Sequence, residues 1–461
     1  MRNEMRLVDA AEIYGGTLLN PDCRFSSVSI DSRKTAAGDL FVALKGPNFD
    51  AHEFLPDVAN RVAGLVVSKA NTKIPLPQWV VADTTNALGH IARMRRDLHS
   101  GLVIAITGSS GKTSVKEMTA TILRQQKTVH ATKGNLNNHI GVPLTLLAMP
   151  AKTDIAVLEM GASAASEIGY LCEIARPDIA LVNNVQRAHL EGFGSVAGIA
   201  AAKGEIYSGL DDAGMAIVNI DQPWLKEWQQ LIANRPCITF SIKDQSADFG
   251  VENIEASGNG CYRFDLCDRR HGKQSSQEVD LCIPGLHSIN NALAAASCAA
   301  AAGADLKQIA QGLGLTQPVE GRLNSIQLSN KVTLIDDTYN ANPDSFKAGI
   351  DVLSAAVGRS ILVMGDMAEL GDRTRELHQQ IGEYALKSDI DAMYCVGDLS
   401  IAAADTFGGE HFQSQQKLIA ALKDVLRMGH HKQEQTTILV KGSRSSGMDK
   451  VVQLLSAEGV V

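Results

Sequence analysis

The sequence predicts an α/β protein of three successive units, and three observations carry that expectation. Short apolar runs alternate with helical stretches through most of the 461 residues. The alternation restarts near residue 317. A smaller block of strand-like runs precedes both. Domains of about 100–200 residues fit this division, and the expected boundaries are 1–83, 84–316 and 317–461.

In the first unit, Phe41-Val42-Ala43-Leu44 and Gly64-Leu65-Val66-Val67 read as short buried strands. Pro75 and Pro77 mark a loop before a strand at 79–82, and a helix at 85–98 connects to the next unit. In the second unit, strands at 103–107, 128–131, 155–159, 179–183 and 216–220 alternate with helical stretches. That rhythm argues for a mostly parallel sheet with helices on both faces. Residues 249–283 alternate like antiparallel strands at a sheet margin, and 288–302 form an Ala-rich helix. In the third unit, strands at 332–336, 361–365, 393–397 and 438–441 are separated by helices. This is a Rossmann-like, doubly wound pattern. The two larger units would face each other across a cleft, where ligands bind.

Hydrophobic residues are 45% and charged residues 20%, an ordinary globular balance. A formal net charge of −8 argues against a nucleic-acid footprint. The eight cysteines show no Cys-x-x-Cys spacing, so neither a zinc site nor a disulfide framework is expected, and most should be reduced core residues. The first residues lack an apolar signal core, and the Ala-rich stretch 292–302 is too short to span a bilayer. The expectation is a cytoplasmic monomer with no membrane insertion.

The most informative segment is Gly108-Ser109-Ser110-Gly111-Lys112-Thr113-Ser114. It follows the apolar run 102–106 and opens a helical stretch to Arg124. Strand, glycine loop, lysine, hydroxyl and helix make the middle unit a P-loop-type sheet. Backbone N–H groups of the loop and helix start face phosphates. Lys112 can reach the terminal phosphates of ATP, and the Thr113 hydroxyl can ligate Mg2+. Ile106 stands where the usual P-loop has its first glycine. The plainer reading, a tight turn with an exposed lysine, leaves two glycines, a lysine and four hydroxyls unexplained.

Other polar residues fall just past strands. Glu159 can ligate the same magnesium or be an exposed acid. His189 can touch a cation or phosphate, or be a satisfied loop histidine. Lys203, on a helix, reads from spacing as part of a solvated face. The loop 132–139 offers Asn137 and Asn138 to a sugar, amide or phosphate, although turns also favour Gly and Asn. In His287-Ser288-Ile289-Asn290-Asn291, Ser288 reads as a helix N-cap, and an asparagine could pair with an adenine edge. Asp336 and Asp337 could bind ribose or a cation. Lys441 and Arg444 could hold a carboxylate or phosphate, or be loop charges.

Together these segments resemble the Mur ligase family over nearly the whole chain. The loop from Thr107 to Thr113, Glu159, His189, Lys203, the segment 287–291, Gly321-Arg322 and Asp337 fall in the family's order. Ser29-Ile30-Asp31-Ser32-Arg33 and Gly38-Asp39-Leu40-Phe41-Val42-Ala43-Leu44-Lys45-Gly46 are similar to the family's uridine-nucleotide unit. Four further segments resemble the branch that completes the peptide. They are Gly134-Asn135-Leu136-Asn137-Asn138, Asp337-Thr338-Tyr339-Asn340-Ala341-Asn342-Pro343, Met364-Gly365-Asp366-Met367-Ala368-Glu369-Leu370-Gly371 and Lys441-Gly442-Ser443-Arg444. Two positions depart from the pattern: His139 replaces Glu or Gln, and Ala51 replaces glycine in Asp50-Ala51-His52.

The resemblance implies that 1–83 binds a UDP substrate, 84–316 binds ATP, and 317–461 binds D-alanyl-D-alanine and closes on ATP. It implies joining that dipeptide to UDP-N-acetylmuramoyl-tripeptide through an acyl phosphate. Lys112 would neutralise the β/γ-phosphates, with Gly108, Ser109, Ser110, Gly111 and Ser114 around them. Thr113 and Glu159 would hold one Mg2+, and His189 a second, supported by a carbamylated Lys203. Asn290 or Asn291 would meet adenine, Arg322 phosphate and Asp337 ribose. Ser32, Arg33, Asn137 and Asn138 would contact the UDP substrate, and Asn340, Asn342, Lys441, Ser443 and Arg444 the dipeptide. A rival is another amide ligase of the family. A guanine-nucleotide switch is disfavoured, since the chain has no Asn-Lys-x-Asp motif.

Overall fold

The computed structural model describes residues 4–258, 260–270, 272, 274–431 and 435–457. The extreme ends of the first and last expected units, 1–3 and 458–461, lie outside the described residues. The chain forms three main sheets, in the order anticipated: a five-stranded sheet, a nine-stranded sheet and a six-stranded sheet.

The first sheet runs Thr17–Leu19, Gln78–Val80, Gly64–Val67, Asp39–Val42, Ser27–Ser29. The Leu-Phe-Val and Leu-Val-Val runs of its two middle strands are buried on both faces, which is why they read as continuous apolar stretches. The helix Thr84–Asp97 follows, capped by Asp83 accepting from the Thr85 and Asn86 N–H groups. Its Ala87, Leu88, Ile91 and Ala92 belong to one apolar cluster with Leu40, Val66 and Trp79 on one side and Leu146, Leu171 and Ile174 on the other. The connector is therefore a packed element shared by two sheets.

The central sheet places Leu102–Thr107 between Ile179–Val182 and Ile155–Glu159, all parallel. Val129–Ala131 lies beyond Ile155–Glu159 at the edge, while Met215–Asn219 and Cys237–Phe240 extend the other side. The chain moves from Leu102–Thr107 first to one side and then to the other, so the sheet's switch point falls at this strand. Phe249–Gly258, Cys261–Asp268 and Ser275–Leu281 form the antiparallel margin. One face is covered by the helices Lys112–Arg124, Leu286–Ala301 and Leu306–Gly314. Seven alanines in Leu286–Ala301 permit close approach of that helix to Lys112–Arg124.

The third sheet runs Asn324–Ser329, Val332–Asp337, Thr436–Lys441, Arg359–Gly365, Ala392–Val396, Glu410–Phe412. It is parallel except for Asn324–Ser329. Two of its strands, Asn324–Ser329 and Glu410–Phe412, were missed in the sequence: they lie at the edges and carry few buried residues.

Three expectations need correction. The Ala-rich helix starts at Leu286, with Gly285 at the cap position. Ser288 is inside it, its hydroxyl donating to the Pro284 carbonyl at 2.7 Å, so it is not an N-cap. Lys203 is not on a solvated face: its helix, Val196–Ser208, packs between neighbouring helices and leaves it 1% exposed. Of the eight cysteines, none in a disulfide, only four are buried, so half rather than most are core residues. Among the described residues, no helix is long and apolar enough to cross a membrane.

Candidate active site between the central and C-terminal sheets

The carboxyl ends of the central strands open into a cavity of about 870 Å³, bounded on its far side by the carboxyl ends of Val332–Asp337 and Thr436–Lys441 and by the start of the helix Pro343–Ser354. The phosphate-type loop stands at its floor. Gly111 has φ +76° and precedes the helix Lys112–Arg124. A side chain there would strike Asn291 Oδ1 and stand 2.7 Å from Asn183 Nδ2, so glycine is required for both conformation and space.

The neighbouring strand end shapes the loop. Asn183 is fully buried and donates to Asn291 Oδ1 at 2.9 Å and to the Ser110 carbonyl at 3.0 Å. Asn184 Oδ1 accepts from Ser110 N–H at 2.9 Å. The Ser109 N–H donates to the Asn184 carbonyl at 3.0 Å, and the Ser109 hydroxyl donates to the Gln186 carbonyl at 3.1 Å. Asn183, Asn184 and Gln186 were not singled out from sequence. The available signal was two adjacent asparagines just past a buried strand.

Lys112 Nζ donates to the Gly108 carbonyl at 2.8 Å, which curls the ammonium over the loop. Burial pushes its pKa down, and the Glu159 carboxylate opposes that shift. Thr113 donates its hydroxyl to Glu159 Oε2 at 2.7 Å, and Asn137 Nδ2 donates to Glu159 Oε1 at 2.7 Å. Glu159 is 1% exposed, and the groups in contact with its two oxygens, the Thr113 hydroxyl and the Asn137 amide, are neutral, so a bound cation would offset the cost of burying its charge. Arg322 donates to the Thr113 hydroxyl at 2.8 Å and lies over the Tyr339 ring at 4.2 Å. Arg322 Nε and Gln186 Oε1 line the cavity side buried and without hydrogen-bond partners. Unspent polar groups of this kind mark a place for a polar ligand. The hard oxygen donors Thr113 and Glu159 suit Mg2+, and the loop amides with Lys112 and Arg322 suit a polyphosphate.

His189 has φ +55° and meets the carboxylate of Glu369, itself at φ +61°, across the cleft. Burial pushes the imidazole pKa down, opposed by Glu369. Lys203 does not line the cavity; its ammonium lies 5.8 Å from the Phe193 ring. Burial, with the like charge of Lys112, pushes its pKa well down. Among the described residues, no group of three or more His, Cys, Asp or Glu side chains gathers around one point.

On the opposite wall, Lys441 is 2% exposed and donates to Asp337 Oδ2 at 2.5 Å and to the Asn340 carbonyl at 3.1 Å. Burial pushes the Asp337 carboxyl up, and Lys441 opposes it. Asn342 caps the helix Pro343–Ser354, accepting from Ser345 N–H at 2.8 Å. Its Nδ2 donates to the Ser110 hydroxyl at 3.1 Å.

Of the residues singled out from sequence, the cavity wall gathers Ser109, Ser110, Gly111, Lys112, Ser114, Asn137, Asn138 and Glu159. It also gathers His189, Asn290, Asn291, Arg322, Asp337, Asn340, Asn342 and Lys441. Gly108 and Thr113 support the wall from behind. Ser443 is buried, accepting from Ala368 N–H at 2.8 Å, and Arg444 lies on the surface beside Asp449. Ser32 and Arg33 are in the first unit, where Arg33 forks onto Asp31 and is mostly exposed. His139 lines the cavity, while Ala51 is buried in a turn of the first unit.

A phosphate-type loop, a buried acid and hydroxyl, and a facing doubly wound unit define a nucleotide-dependent ligase class of the α/β fold. The family model for the Mur ligase middle domain matches residues 106–299, and that for the Mur ligase glutamate ligase domain matches 321–444. The chain belongs to the Mur ligase family.

It is 45% identical to UDP-N-acetylmuramoyl-tripeptide–D-alanyl-D-alanine ligase of Escherichia coli (strain K12), over 98% of each chain. It is 34% identical to the Bacillus subtilis (strain 168) ligase of the same name, over 96% of each. Among solved structures, MurF from Acinetobacter baumannii superposes with a TM-score of 0.91 at 34% identity, over 98% of each chain. MurF ligase from Thermotoga maritima in complex with ADP gives 0.83 at 28% identity, over 94% of this chain and 97% of that one.

Proposed function

We infer that the chain is an ATP-dependent amide ligase that adds D-alanyl-D-alanine to UDP-N-acetylmuramoyl-tripeptide, completing the peptide of a peptidoglycan precursor. The observation that carries the site reading is the contact set of Thr113, which holds Glu159 on one side and Arg322 of the third unit on the other.

A carboxylate resists attack by an amine, because its charge repels the nucleophile and oxide is not a viable leaving group. Transfer of the γ-phosphoryl group to it gives an acyl phosphate that the dipeptide amine can attack, expelling phosphate. Such a transfer needs positioning and charge neutralisation. Lys112 and the loop amides would hold the β/γ-phosphates, and Arg322, whose guanidinium meets the Thr113 hydroxyl from the third unit, would reach them from the other side. Thr113 and Glu159 would hold Mg2+, and His189 a second ion beside the substrate carboxylate. When bound there, magnesium would supply neutralisation of the phosphate charge. Asn290 is the asparagine free to meet adenine, because Asn291 Oδ1 is engaged by Asn183. Asp337 serves ribose.

Asn137 and Asn138 face the UDP-peptide, with Ser32 and Arg33 binding its nucleotide end from the first unit. Asn340, Asn342, Lys441, Ser443 and Arg444 belong to the dipeptide side; Ser443 acts by holding Ala368. Lys203 is a carbamylation candidate: burial, with the like charge of Lys112, pushes its pKa well down, which favours the neutral, nucleophilic amine. The three units correspond to UDP substrate (1–83), ATP (84–316) and dipeptide (317–461), acting as a cytoplasmic monomer. The test is phosphate release with ATP and a panel of amine acceptors. Release dependent on D-alanyl-D-alanine supports this reading, and release with glutamate, lysine or diaminopimelate instead would move the chain to another branch.

A further inference from the structure

We propose that Arg187, acting through Asp344, is a positioning residue of the ligase reaction: it locks the start of the helix Pro343–Ser354 against the phosphate loop. The proposal rests on the ligase reading above. Arg187 sits in the turn 183–189, whose Asn184 and Gln186 are bonded to Ser109 and Ser110. From this turn, Arg187 reaches into the third unit. Its backbone N–H donates to Asp344 Oδ2 at 3.0 Å, and its Nη2 donates to Oδ1 at 2.7 Å. The Nε contact to Oδ2 is longer, 3.4 Å.

Both side chains are about one-quarter exposed, 26% and 25%. Burial alone would raise the Asp344 carboxyl; the side-chain and backbone hydrogen bonds from Arg187 outweigh it and hold the group below the usual carboxylate range. A guanidinium fork on a carboxylate fixes rotation as well as distance. The other tie at this helix start is a single neutral bond, Asn342 to Ser110. The charged fork is thus the stronger constraint on where Asn340, Asn342 and Lys441 stand relative to Lys112. An error of about 1 Å in such placement can cost roughly 10²-fold in rate.

The test uses the full chain as Arg187→Gln, Asp344→Asn, the double variant and Arg187→Lys. Steady-state constants are measured for all three substrates. The radius of gyration is measured by X-ray scattering with a nonhydrolysable ATP analogue. Each single neutral variant should lower kcat/KM for the dipeptide about tenfold, leave KM for the UDP-peptide unchanged, and enlarge the analogue-bound chain. The double variant should be no worse than the poorer single, and Arg187→Lys should recover part of the loss. Effects that multiply in the double variant, or folded variants with wild-type dipeptide constants and dimensions, would overturn the proposal. Wild-type protein that fails to couple the dipeptide would instead remove the ligase reading itself, so the two failures are distinguishable.

Discussion

Arg322 donates a hydrogen bond to the hydroxyl of Thr113 across 2.8 Å, joining residues 209 positions apart. Thr113 opens the helix behind the phosphate loop, and Arg322 opens the third unit. The hydroxyl simultaneously donates to Glu159. One threonine therefore connects the phosphate-type loop, a buried acid and the third unit.

Lys112 curls its ammonium over the phosphate-type loop, onto the Gly108 carbonyl. Lys112→Ala should lower turnover by about 10³-fold or more, as expected when a pre-organised charge on a transferring phosphoryl group is lost. The melting temperature should stay near wild type. Calorimetry and a product assay on the same preparation check both halves.

Gly111 occupies a left-handed conformation with no room for a methyl group. Gly111→Ala should abolish ATP-analogue binding while leaving UDP-peptide binding in place. The conformational term alone is about 1–2 kcal/mol, and displacement of Asn183 and Asn291 adds to it. Titration calorimetry with each ligand separates the two effects.

Glu159→Gln keeps volume and removes the anion. The expected result is a kcat lower by roughly 10²-fold and a Mg2+ requirement shifted to higher concentration. A magnesium titration of the rate reads the shift, and an unshifted titration would argue that Glu159 only props Thr113.

Lys203 makes stability depend on pH in a definite sense. Its folded-state pKa lies well below 10.5, the ordinary lysine value. Between those two values the unfolded chain binds more protons than the folded one, so stability rises with pH across that window. In carbon-dioxide-free buffer the wild-type melting temperature should climb through that range, and Lys203→Met should flatten the climb. In activity, Lys203→Ala should be partly rescued by short-chain carboxylic acids. Folded but unrescued protein would count against a carbamate at this position.

The alternation of strands and helices and the phosphate loop were legible because their signals are local. The run 102–106 is apolar and continuous, and the glycines and lysine that follow are adjacent in sequence. Glu159 and Lys441 were legible as polar residues ending buried strands. Lys203 misled because helical spacing does not reveal that Val196–Ser208 is covered by neighbouring helices. Ser288 misled because the helix began two residues earlier, at Leu286. The contacts Arg187 to Asp344 and His189 to Glu369 span 157 and 180 residues, and no local pattern announces them.

The most direct measurement supplies the protein with ATP, Mg2+, D-alanyl-D-alanine and UDP-N-acetylmuramoyl-tripeptide carrying 18O in its terminal carboxylate, and reads products by mass. The account predicts a pentapeptide product together with inorganic phosphate that has gained one heavy oxygen. Unlabelled phosphate, or phosphate released without the pentapeptide, would contradict it.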